Sequence, residues 1–179
     1  MKNAGPGTVL TAVLLLAAPA MPVFAEPPAT TLATLIDRAQ IEDLLATYYG
    51  DFNAAIVAYI GSGTWPSNTG MGAYYLEDGV LEVTGMHVTA RGRQQIENFY
   101  RKMMVDPKAP PAAGERDYWH YTNPRIAVHG DSATADLLWT VDSATNPKEP
   151  LKIAAMGREH DELVKRNGRW YFKHRLVTP

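Results

Sequence analysis

GREHDELVKRNGRWYFKHR, residues 157–175, carries two β-rich runs joined at Asn167-Gly168. Asn-Gly is the strongest two-residue hairpin signal, because both residues tolerate the positive φ that a tight turn needs. The stretch predicts antiparallel strands over 151–166 and 169–177. Upstream, His129-Gly130-Asp131 separates a run at 118–129 from one at 133–143, and Asn146-Pro147 ends the second. The last third of the chain therefore reads as a four-stranded meander.

The middle and first parts read differently. Leu35, Ile36, Ile41, Leu44, Leu45, Tyr48 and Phe52 recur at three- and four-residue spacing, which predicts a long helix with one apolar face, running on toward Ile60. Residues 61–72, GSGTWPSNTGMG, form a loop, either a surface linker or a lid with Trp65 as its apolar contact. A short hairpin follows near Val80–Val83 and Val88. RGRQQIENFYRKMM then places Ile96, Phe99, Tyr100 and Met103 on one helical face, and residues 106–114 form a Pro-rich loop. Helices segregated from a meander indicate an α+β fold.

Composition bounds the function. The chain has 179 residues, about one domain, with 46% apolar and 20% charged residues. A formal net charge of −2 gives no footprint for nucleic acid or an anionic membrane. There is no cysteine, so disulfides, thiolate nucleophiles and cysteine metal sites are excluded. Lys2, the apolar run Val9–Ala20 and Val23-Phe24-Ala25 read as a secretory signal over 1–25, cut after Ala25. Residues 26–34 are a flexible lead-in and 35–179 the folded domain. The expected mature protein is periplasmic or secreted, with no membrane attachment after cleavage.

Several segments taken in order resemble the SnoaL-like branch of the NTF2-like superfamily. IEDLLATYY resembles its opening helix, YYLEDGVLEV its helix-to-strand passage, and RGRQQIENFY its second helix. HYTNPRIAVHGDSATADLLW and GREHDELVKRNGRWYFKHR resemble its closing strands. The resemblance implies a cone formed by a bent antiparallel sheet, with helices on its concave side and an apolar pocket inside. It also implies a cofactor-independent lyase, dehydratase or isomerase acting on a small hydrophobic, aromatic, hydroxylated compound. A lignin-type diaryl propanoid losing formaldehyde is one concrete case. A non-catalytic hydrophobic-ligand binder and an oligomerisation domain are the alternatives within the same fold, and a homo-oligomer, dimer or trimer, is expected. Three departures stand out: the insertion at 61–72, Glu159 where a tyrosine is common, and Asn53 where an aspartate is common.

Strand parity then sorts the polar residues. If no bulge intervenes, His120 shares a face with Ile126 and Val128 and points into the cone, as a proton-transfer group or as a satisfied core histidine. His174 shares parity with Trp170 and Phe172. His160 and Asp161 face opposite sides, and the resemblance favours Asp161 as pocket-facing. His120 and Asp161 would then form an acid/base pair. The resemblance puts Tyr48, Tyr49 and Asp51 near the pocket mouth, with Tyr49 and Asp51 on substrate hydroxyls. Trp119, Tyr121 and Trp139 are candidates for an aromatic wall. Asn123 and Arg125 take the opposite parity to His120. The histidine spacing gives no support for a metal site.

Overall fold

A computed structural model describes residues 30–105, 111–112 and 114–179. The signal reading over 1–25 and most of the 106–114 loop lie outside the described residues. Helix α1 spans Leu32–Ser62. Thr31 caps it: its hydroxyl accepts from the Thr34 N–H at 3.2 Å, and Thr34 Oγ1 accepts from the Thr31 N–H at 2.8 Å. Two N-terminal donors are thereby satisfied. The expected lead-in is thus shorter than 26–34, since 32–34 are helical. Leu35 and Ile36 are half-exposed rather than part of the buried face, which begins at Ile41 and runs to Tyr59. Gly63 ends the helix with φ 69°, donating its N–H to Tyr59 O.

The remaining elements are β1 (Tyr75–Val83), β2 (Val88–Arg91), α2 (Arg93–Met104), β3 (Arg116–His129), β4 (Ser132–Ala144), β5 (Lys152–Arg166) and β6 (Arg169–Thr178). They form one sheet in the order β2-β1-β6-β5-β4-β3. Every pairing is antiparallel except β1 with β6, which is parallel. An all-antiparallel sheet was the expectation; the long connection from β1 to β6 allows the parallel pair, as a tight hairpin cannot. The β5–β6 turn uses Asn167 at φ 51° and Gly168 at φ 77°, both left-handed as the sequence demands.

The core lies between α1, α2 and one face of the sheet. Ile41, Leu45, Ile56, Tyr75, Ile96 and Phe172 are fully buried there. The 61–72 segment is pinned rather than free: the Glu97 carboxylate of α2 accepts from the Thr69 N–H at 2.6 Å and the Gly72 N–H at 3.1 Å. At the open edge of the sheet, Asn53 of α1 serves the backbone of β3. Its amide donates to Trp119 O at 2.6 Å, and its carbonyl accepts from Trp119 N–H at 2.8 Å. One side chain thus stands in for a missing strand at this point.

Candidate active site

Two bulges decide which side chains face the inside. In β3, Asn123 and Pro124 stand opposite the single residue Leu137, and Asn123 takes φ 54°. An extra residue reverses parity beyond it. Ile126 and Val128 remain inward, but Trp119 and Tyr121 are now their inward partners, packing on Phe52 and Tyr49 of α1 at 5.4 and 5.1 Å between ring centres. His120 is turned to the outer face, 44% exposed, with Nδ1 3.9 Å from Asp142. In β6, Lys173 is unpaired between Phe172↔Leu163 and His174↔Glu162. Trp170 and Phe172 face inward; after the bulge Arg175 takes that role and His174 turns outward, 3.5 Å from Glu82. The unbulged strand geometry assumed for both histidines is corrected on this point.

The other predicted residues divide. His160 lies on the outer face, Nδ1 2.7 Å from Asp136. Trp65 is buried against Tyr59 at 5.8 Å and does not line the cavity. Exposed Asp51 accepts a hydrogen bond from Tyr74, away from the cavity. Tyr48, Tyr49, Trp119 and Trp139 do line it. The proposed pairing of His120 with Asp161 is not formed, because the two occupy opposite faces of the sheet.

The cavity holds about 280 Å³ between α1, α2 and the sheet. Its walls are aromatic and aliphatic, and Trp119 stacks on Trp139 with ring centres 5.8 Å apart. The indole of Trp139 donates to Thr178 O at 3.1 Å and lies flat against Gly157, where a Cβ would come within 2.7 Å of the ring. Glycine at 157 therefore makes room for this wall.

The polar floor was not foreseen. Glu159 and Arg175 line the cavity, 3% and 2% exposed, in direct contact as an ion pair. Arg175 Nε also lies 3.2 Å from Asp161 Oδ1, and Asp161 is fully buried behind it, outside the cavity lining. The guanidinium lies over the Tyr48 ring at 4.0 Å. Tyr49 donates its hydroxyl hydrogen to Glu159 Oε2 at 3.0 Å. Tyr48 and Tyr100, both in the cavity wall, share a hydroxyl–hydroxyl hydrogen bond.

Glu159 and Asp161 share one guanidinium here. Burial, and then the Glu159 charge, push the Asp161 pKa well above the ordinary carboxylate value, against the pull of Arg175. Burial and the same Glu159 charge hold the Tyr49 pKa well above the usual phenol value, so Tyr49 stays a donor. Desolvation opposes the Arg175 charge, but Glu159 and its neighbours outweigh it and raise its pKa. The available signal was Glu159-x-Asp161-x-Leu163, three residues of one parity ending in a buried leucine, across from Arg175. Among the described residues, no group of three His, Asp or Glu side chains is arranged to hold a metal ion.

An apolar cone closed by helices, with charged groups at its floor, is the architecture of the NTF2-like superfamily, which includes dehydratases and isomerases. Within it, a SnoaL-like domain model matches residues 33–176, and the chain belongs to that family. No curated protein matches the chain. Solved structures give the same fold. Rv3472, a protein of unknown function from Mycobacterium tuberculosis, is 26% identical over 81% of this chain and 72% of its own, with TM-score 0.60. An NTF2-like protein from Novosphingobium aromaticivorans is 20% identical over 82% and 84%, with TM-score 0.61. A scytalone dehydratase candidate from the same organism is 19% identical over 80% and 84%, with TM-score 0.57.

Proposed function

We propose that the protein is a cofactor-independent lyase, dehydratase or isomerase acting on a small aromatic hydroxylated compound, with Glu159 as its proton-transfer group. The observation that carries this is a carboxylate at the floor of an aromatic cavity, the one carboxylate side chain lining it among the described residues, held between a guanidinium and a phenol. Glu159 removes a carbon-bound proton; the electron pair left behind forms the double bond as the carbon–oxygen bond breaks. The proton then passes to the departing hydroxyl, releasing water. Returned instead to a different carbon, it completes an isomerisation. A lignin-type diaryl propanoid is a further substrate of this kind: there the proton comes from the O–H of a hydroxymethyl group, the carbon–carbon bond to that group breaks to release formaldehyde, and its electron pair forms the double bond as the neighbouring hydroxyl leaves with the proton as water. Arg175 and Tyr49 hold the carboxylate in place, one on each oxygen. Positioned proton transfer of this type contributes roughly 10²–10⁴-fold in rate.

We also infer export, on the leader-like run over 1–25, and self-association through the outer face of the sheet, where Tyr118, Leu138, Ile153 and Met156 are exposed. A library of hydroxylated aromatics incubated with the protein and read by native mass spectrometry tests the activity. The expected result is a bound compound that is converted by the wild type and not by Glu159→Gln, seen as a mass change for elimination or as a new chromatographic peak of equal mass for isomerisation. Conversion undiminished in that variant sinks the role of Glu159.

A second reading has its own observation. Both Glu159 oxygens are engaged by Arg175 and Tyr49, and among the described residues no histidine lines the cavity. A pocket whose carboxylate is held in this way suits a ligand-binding protein. Tight binding with neither a mass change nor a new chromatographic peak across the library would favour it.

A further inference from the structure

The cavity has a neighbour. A surface groove of about 460 Å³ runs over β2 and α2, and it shares three walls with the cavity: Met86, Phe99 and Met103. Two of these partitions are methionines, unbranched side chains that change rotamer at low cost. Met86 is half-exposed at the boundary. At about 280 Å³ the inner cavity falls just short of the ~300–1,000 Å³ usual for ligand sites, whereas cavity and groove together lie within that range.

The groove differs in character from the cavity. Val88, Ala90 and Phe99 form its base, and Thr89, Gln95, Asn98 and Lys102 its polar edge. No carboxylate lines it among the described residues, so Lys102 gives it a positive sign. Gln95 has its carbonyl occupied by the Arg91 N–H at 3.1 Å, which leaves its NH₂ group as a donor. The groove therefore offers hydrogen-bond donors and a cation next to an apolar strip.

We infer that the binding site continues past Met86 and Met103 into this groove, and that it takes an elongated aromatic acid whose ring enters the cavity and whose carboxylate meets Lys102. The inference rests on reading the inner cavity as the ligand site. The hydroxylated ring lies over Glu159, and the anionic end stays outside, away from the Glu159 charge that would repel it. Placing the two ends in opposite electrostatic surroundings orients the ligand as well as holding it.

Quenching of tryptophan fluorescence from Trp119 and Trp139 reports occupancy of the cavity. The probes are phenol, 4-phenylphenol and 4'-hydroxybiphenyl-4-carboxylate, at low ionic strength. Affinity should rise at each step of the series. Lys102→Met should weaken the acid alone by about three- to fivefold, the size of one exposed charge pair, and added salt should do the same to the wild type. An acid that binds no tighter than 4-phenylphenol, or whose advantage survives Lys102→Met, overturns the extension. If phenol itself quenches in that case, the inner site stands and only the groove is lost. If no probe quenches, both fall together.

Discussion

Glu159 and Asp161 are two residues apart on β5, share one face and share one arginine, yet they differ in their surroundings. Asp161 is sealed behind Arg175 and Glu159 reaches the cavity, so burial acts hardest on Asp161 and raises its pKa. The folded protein then binds that proton more tightly than the unfolded chain does. The resulting stability is fully present below the ordinary carboxylate pKa of about 3.9 and is lost as pH rises through the raised value. Asp161→Asn keeps the shape without the titration. It should flatten the decline in urea midpoint with pH from about 4 upward, relative to the wild type. Parallel pH profiles for the two proteins would count against a protonated Asp161. The histidines show the other half of the residue-scale lesson. His120 and His174 were placed inside by parity, and each is outside because one extra residue precedes or follows it in its strand. Asn123 offered a partial signal, as asparagine tolerates positive φ and precedes a proline. Nothing in the residue type of Lys173 marks the second bulge.

At the scale of elements, the sequence was legible wherever periodicity or turn chemistry acts locally. The four closing strands begin and end within two residues of the positions expected from the turns, and both helices carry the expected buried rows apart from exposed Leu35 and Ile36 and partly buried Met103. What local chemistry does not encode is a contact made across the fold. Asn53 is such a case. It stands where the family often has an aspartate, and here it closes the exposed edge of β3 by pairing both backbone groups of Trp119. An aspartate at this position accepts but does not donate, so Trp119 O would lose its partner. Asn53→Asp should therefore destabilise the protein by about 1–3 kcal/mol, the cost of one unsatisfied buried backbone group. It should also loosen the Trp119–Trp139 stack. Urea unfolding measures the first effect and tryptophan emission the second. An unchanged midpoint would mean that the clamp contributes nothing to holding the edge.

At the scale of the molecule, the sheet has two faces with different duties. The inner face carries the aromatic cavity and its buried charges. The outer face carries three histidine–carboxylate pairs together with exposed Tyr118, Leu138, Ile153 and Met156. Apolar residues interleaved with both signs of charge suit contact with a second copy of the same surface. Sedimentation should show a dimer or trimer in the wild type and a smaller species for Ile153→Glu, with ligand binding kept. A wild-type monomer at micromolar concentration would remove that assignment. The division also separates two candidates for the chemistry, since His120 belongs to the outer face and Glu159 to the inner one. The most direct measurement is turnover of an identified aromatic substrate by His120→Ala and Glu159→Gln, each first shown to be folded by its unfolding midpoint. Conversion should persist in His120→Ala and drop by at least about 100-fold in Glu159→Gln, as expected when a positioned proton-transfer group is removed. Loss in His120→Ala with full activity in Glu159→Gln would contradict the assignment of the chemistry to the inner face.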